Sequence, residues 1–299
     1  MRGSRPLRSR READYGSDER GFAGFLRSLL KGIPWSERAE HQETLHVAAP
    51  ASHVLRIHNS NGRTRIRGED RSDIEVVSLK TARAESQEAA TELLDEIRLV
   101  MNESEEGLEL DVEVPRRWNR RGSANLCIRL PRETVVAVVA ANGRVEITGL
   151  RGPVRARSSN GSVSVSDVVG DIEVATSNAR VCCSGTCGRL LARSSNGKIE
   201  IEQHRGSVDA STSNGLIRAA LDEVGKDGVH LATSNGRIVL DLPDETDADV
   251  DIRVDNGVIR NDRPLRKATR ETGGRVLGQV GLGGPLIKLR TSNGSISVH

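Results

Sequence analysis

The chain is poor in aromatic side chains, with two Phe, two Trp and one Tyr among 299 residues. That scarcity argues against a carbohydrate-stacking cleft or a single-strand nucleic-acid platform, both of which need several rings. It also lacks an excess of either charge. Forty-four Lys and Arg against 42 Asp and Glu leave a formal charge of +2, which disfavours a general nucleic-acid or membrane-coating role. No apolar run approaches the ~18 residues of a membrane span. The N-terminus, MRGSRPLRSRREADYGSDER, has the arginines of a secretory signal without the apolar segment that follows them. The expected location is therefore cytoplasmic, or peripheral to the inner face of a membrane.

Chemistry-bearing groups are sparse as well. The four cysteines are Cys127, Cys182, Cys183 and Cys187. C-C-x-x-x-C lacks the paired C-x-x-C spacing of zinc sites, and adjacent cysteines on a strand point to opposite faces. Cys183 is expected to be a small buried hydrophobe. The seven histidines are His41, His46, His53, His58, His204, His230 and His299. None pairs with another at metal spacing. No G-x-S-x-G elbow is present. No catalytic, cofactor-binding or metal-ligating residue is assigned, and no cofactor is expected. A carbohydrate-active solenoid enzyme remains the lesser alternative, because function resides in a site and not in a fold.

What the chain does have is a repeat. Asn142, Asn160, Asn178, Asn196 and Asn214 are each 18 residues apart; the spacing becomes 21 at Asn235 and Asn256, and the motif returns at Asn293. Asn61 is an upstream outlier. A fixed period of this size marks a repeat architecture. Before each Asn come apolar or small residues at alternate positions, as in Val154/Ala156/Ser158 and Ile172/Val174/Thr176. After it come pairs such as Val163/Val165 and Val181/Cys183, with mostly charged or Ser residues between. Each repeat thus supplies two short half-buried strands. Asn-Gly, in which both residues tolerate positive φ, supplies one turn. A Gly ten residues after the Asn (Gly152, Gly170, Gly188, Gly206) supplies the other.

Two assemblies fit this pattern: a β-solenoid, with each repeat one coil, or an antiparallel meander of Asn-Gly hairpins. A solenoid is favoured because a one-layer meander leaves its apolar face uncovered. Small and β-branched inward residues also suit a narrow core. Asn178 is kept although Ala179 follows it, where a tight hairpin turn wants Gly. An amide that stacks coil upon coil explains the Asn better. The predicted fold is all-β: a single-stranded β-solenoid of about nine coils, roughly 40 Å long.

The repeated (S/T)-S-N-G-x-(I/V)-x-(V/I) with a mid-repeat Gly resembles the bacterial putative-adhesin family of β-strand-repeat proteins, a domain of unknown function. The preceding order is similar too: an Asn-Gly strand pair (Leu55 to Ile66), a helix, a strand pair and the I-R-L-P entry at Ile128 to Pro131. The resemblance covers about residues 43–299. It implies a β-helical fold and an adhesion or envelope role, and it supplies no catalytic residues.

In chain order, residues 1–18 read as a disordered charged tail. Residues 19–42 carry an amphipathic helix and linker. Phe22, Phe25, Leu26, Leu29, Leu30 and Ile33 form one helical stripe, stopped by Pro34 and followed by Trp35. That helix would cap the solenoid, lie in a membrane interface, or dock on a partner. Residues 43–299 form the solenoid, with Asn61 as its first coil. A helical insertion at about 81–101 carries Ala90, Leu93, Leu94, Ile97 and Met101. Glu109 to Val114 and Ala124 to Leu130 are strands returning to the array. The basic loop Arg116 to Arg121, around Trp118, is read as solvated, since it neutralises too few phosphates for useful nucleic-acid affinity.

Later segments are read the same way. Bulging loops are expected at Asp222 to Gly228 and at Pro243 to Asp249. The acidic run Asp241, Asp244, Glu245, Asp247, Asp249, Asp251 lacks the Gly-punctuated spacing of a Ca2+ loop. Residues 261–284 are expected to be a mobile Gly-rich loop, and Asn293 the last coil, ending in an open edge. The function predicted is non-catalytic: a repetitive surface for a protein or envelope partner, with a membrane tether through the N-terminal helix. Self-assembly through the solenoid ends, giving a homo-oligomer, is the alternative, and no nucleic acid is expected.

Overall fold

The structure, a computed structural model, describes residues 37–115, 121–271 and 274–299. The predicted tail, the Phe22–Ile33 stripe with Trp35, and Trp118 lie outside the described residues.

Apolar alternation builds the strands in sequence order. The N-terminal part contains β1 (Glu37–Ala48), β2 (Val54–Asn61), β3 (Thr64–Glu69), β4 (Asp73–Ala84), helix α1 (Gln87–Glu96), β5 (Arg98–Ser104), β6 (Gly107–Glu113) and β7 (Gly122–Pro131). Regular coils follow as β8 (Val135–Asn142), β9 (Val145–Thr148), β10 (Val154–Ser158), β11 (Val163–Ser166), β12 (Ile172–Thr176), β13 (Val181–Ser184) and β14 (Cys187–Ser194). The longer β15 (Ile199–Asn214), β16 (Ile217–Asp241) and β17 (Ala248–Asn261) run round a corner from one face to the other. The chain ends with β18 (Arg266–Glu271), β19 (Arg275–Val280) and β20 (Leu286–Val298).

Pairing between successive coils is parallel and in register. On one face Leu55, Val136, Val154, Ile172, Leu190, Val208 and Val229 stand in line. On the other, Ile66, Ile147, Val165, Cys183, Ile201 and Ala219 do the same. Parallel pairing excludes the hairpin meander, so the fold is the β-solenoid. The inward residues of both faces join in one continuous core. Each Val, Leu or Ile buried there contributes about 1.5–3 kcal/mol against exposure.

Several expectations are corrected. The helix is shorter than 81–101. Thr81 to Ala84 stay in β4, held by β1 and in part by β7. Ser86 caps the helix by accepting from the Ala89 amide, and Ile97 leaves helical geometry. Met101 belongs to β5, paired with β6. β1 starts at Glu37, ahead of residue 43, because its first residues pair with the end of β4.

The stack is not in sequence order at either end. β6 and β7 add a level outside the Asn61 coil, so that coil is second in space. At the other end β20 lies between β16 and β17, pairing parallel with both. The Asn256 coil is therefore terminal, and the Asn293 coil is internal. Residues 261–284 are not wholly loop, since β18 and β19 form an antiparallel hairpin whose β19 pairs with the first half of β17. Residues 222–228 are an irregular stretch inside β16 and not a separate loop.

Candidate interaction surface

The corner asparagines form a ladder. Asn142 donates its side-chain amide to Asn61 at 2.9 Å, Asn160 to Asn142 at 2.9 Å, and Asn178 to Asn160 at 3.0 Å. Asn196, Asn214 and Asn235 continue it at 3.0 Å each. Asn293 then donates to Asn235 at 2.9 Å, and Asn256 to Asn293 at 3.1 Å. None of these asparagines has positive φ. Five of their glycines are also corrected in role. Gly143, Gly161, Gly197, Gly215 and Gly236 are not left-handed; they are Gly because the backbone of the next coil is too close. A Cβ at Gly161 would stand 1.6 Å from the Gly143 carbonyl oxygen. Close stacking selects the residue at these five, whereas Gly62, Gly257 and Gly294 do take the expected positive φ, at 127°, 150° and 152°.

Outside the corners, charges of opposite sign meet across strands. Glu146 accepts from Arg65 at 2.9 Å, Glu173 from Arg157 at 2.6 Å, and Asp209 from Arg193 at 2.8 and 2.9 Å. Glu200 is paired by Arg180 and Lys198. Hydrogen bonds from Arg193 hold the Asp209 carboxyl below its usual range, and Arg275 does the same to Asp251. Beside β3, the Arg71 guanidinium holds Asp73 down to about 2. Between Arg144 and Arg180 the outward Ser162, Ser164 and Ser166 line an open groove of about 600 Å³, with Ile147, Val163 and Cys182 also in its walls.

The acidic run does not converge on a common point. Asp241 faces Arg218, Asp244 faces Arg263, and Asp247 accepts from the Leu282 amide. Asp249 accepts from Gln279, and Asp251 from Arg275. These contacts tie the run to the β18–β19 hairpin and the C-terminal loop.

One cluster escaped the spacing of residues along the chain. His58 Nδ1 lies 2.7 Å from Asp111 and 3.3 Å from Glu109. The three donor groups fall within 4.8 Å of one another on the exposed face of β2 and β6. This nitrogen–oxygen–oxygen set has donors suited to a divalent transition metal, and equally makes an ion pair when the ring is protonated. The residues are 53 positions apart, and only the β2–β6 pairing brings His58 opposite Asp111.

The cysteines are all free. Cys183 is buried in the core, where loss of solvation pushes its thiol up to about 12, while Cys182 lies on the opposite, outward side of β13. His204 is a second buried group that spacing did not single out. Its Nδ1 sits 2.8 Å from Thr186 Oγ1, and its Nε2 has no hydrogen-bond partner. Burial pushes its pKa below the usual imidazole value. No helix among the described residues is long and apolar enough to cross a membrane.

A parallel β-solenoid with a corner amide ladder and paired surface charge belongs to the class of repeat scaffolds. Residues 41–299 match the model of the Toastrack DUF4097 family, and the chain belongs to that family. No curated protein matches the sequence. Solved structures similar to it include a putative cell adhesion protein from Clostridium sporogenes, 9% identical over 88% of this chain and 99% of that one, with a TM-score of 0.30. A putative adhesin from Bacteroides fragilis is 12% identical over 87% and 97%, at 0.39. A putative lipid binding protein from Parabacteroides distasonis is 14% identical over 87% and 97%, at 0.35. None of these three is described as an enzyme.

Proposed function

We propose that this chain is a non-catalytic interaction protein whose solenoid presents a repetitive surface to a protein or envelope partner. The observation that carries this reading is the outward surface itself. Glu146, Glu173 and Glu200 are answered in a row by neighbouring arginines, and the groove at Ser162, Ser164 and Ser166 is open to solvent. Paired charge of this kind lends itself to broad polar contact and not to enclosing a small substrate.

The finer part of the proposal concerns the N-terminal stripe Phe22, Phe25, Leu26, Leu29, Leu30, Ile33 with Trp35, which would tether the rod to a membrane surface. Co-sedimentation of the full chain and of residues 37–299 with vesicles containing acidic lipid tests it. The full chain is expected to bind and the shorter one to stay in solution; equal binding by both would defeat the tether. A glycan panel tests the enzymatic alternative, with no turnover as the expected result.

A further inference from the structure

The two ends of the rod differ in charge, and both present sheet edges. At the head, β1 pairs only with β4 and β5 only with β6 among the described residues. Helix α1, which joins β4 to β5 in the chain, packs against β4 and β1 at this end, its apolar side Ala90, Leu93 and Leu94 buried. Residues 85–121 carry eleven acidic and five basic side chains. Glu92, Asp95, Glu103 and Glu105 are exposed and have no ion pair among the described residues. At the tail, again among the described residues, β18 pairs only with β19, and Asn256 to Asn261 only with β20. Residues 258–278 carry six basic and two acidic side chains. Arg260, Arg266 and Lys267 are exposed and likewise without an ion pair there.

Along the body, acidic and basic side chains are interspersed and several pair laterally, as Glu146, Glu173 and Glu200 do, whereas each end carries a net charge of one sign. The β5 and β18 edges lie twelve strand spacings apart, roughly 58 Å at the inter-strand distance, and do not satisfy each other within one copy. Unpaired strand edges are templates for another chain's edge. We propose that copies of this chain associate head to tail, the acidic α1–β5 end of one seating on the basic β18 end of the next. Like charges oppose head-to-head and tail-to-tail contacts. A heterologous contact of this kind does not close, so it builds an open rod and not a two-fold dimer. The inference goes beyond the envelope or membrane partner proposed above and stands without it.

Sedimentation velocity of the full-length protein tests it. The expected result is mass that rises with concentration at about 50 mM salt, with association at least about tenfold weaker at about 500 mM as the end charges are screened. Two exposed-site variants distinguish the geometry. Glu92→Gln with Asp95→Asn blunts the head, and Arg266→Ser with Lys267→Asn blunts the tail. Each alone is expected to stay monomeric, and their mixture to form a one-to-one heterodimer that grows no further. Circular dichroism checks that both variants remain folded. A wild type monomeric at every concentration overturns the proposal, as does either variant associating as strongly as the wild type, or a mixture that stays monomeric. Vesicle binding is read separately, so the tether can fail while this contact survives.

Discussion

The side-chain amide nitrogen of Asn256 stands 3.1 Å from the side-chain oxygen Oδ1 of Asn293, although Asn293 comes 37 residues later. The last asparagine in the chain is thus an inner rung, bonded on its other side to Asn235. β20 was inserted into the stack between two strands that precede it in sequence.

That order predicts hydrogen-exchange behaviour. Amides of β20 are expected to be protected to the level of β16, whereas those of Val258 to Asn261 exchange faster at an edge. Deleting residues 286–299 should remove an internal coil and release β17, seen as loss of cooperative unfolding. Mild trimming of the melting temperature instead would indicate a terminal position for β20.

Within the ladder an inner rung makes two amide bonds. Asn178→Ala is expected to cost about 1–2 kcal/mol, since it removes the bond to Asn160 and the one from Asn196. Asn256→Ala, which removes one, is expected to cost about half as much. Urea titration of both variants makes the comparison.

Gly143, Gly161, Gly197, Gly215 and Gly236 should respond to size and not to backbone freedom. Gly161→Ala places a Cβ against the Gly143 carbonyl and is expected to destabilise by about 3 kcal/mol. The chain's own Ala179 marks the one coil where a methyl is accommodated. Ala179→Gly should therefore change stability by about 1 kcal/mol or less, measured by thermal unfolding.

His204 gives the fold a pH dependence. Its folded pKa lies below the free value of 6.5 because the ring is buried, so below pH 6.5 the unfolded chain takes up a proton that the folded chain resists. Stability is expected to be full above that pH and to fall as pH drops through the lower folded value. His204→Gln should flatten this slope whatever its effect at neutral pH. An unchanged slope would place the titrating group elsewhere.

A second slope belongs to Asp73. Its carboxyl is held at about 2 by Arg71, against an ordinary value of 3.8. Its stabilisation is present above the ordinary value and is lost as pH falls from about 4 to about 2. Arg71→Met should shrink that loss, as read by acid titration of the fluorescence or dichroism signal.

Much of the coil was legible from residue spacing. Val163, Val165, Val181 and Cys183 alternate with polar residues, and each is buried as that alternation requires. A strand side chain's face follows from its parity, which is a local property. The His58–Glu109–Asp111 cluster was not legible, because it depends on which strand lies beside β2 and on the register between them. Nor was His204, whose burial follows from the coil corner it occupies and not from a neighbouring residue pattern.

By itself, then, the amino-acid order determined the period, the inward set of each coil, and the asparagine corner where amides stack. Only the tertiary structure decided the order in which the coils lie and which strands stand at the two ends. Every coil offers its neighbours nearly the same ridge of Val, Ile and Leu, so local pattern cannot choose between neighbours. That choice is made by long-range backbone pairing, which places β20 between β16 and β17 and folds the β18–β19 hairpin back onto the terminal coil.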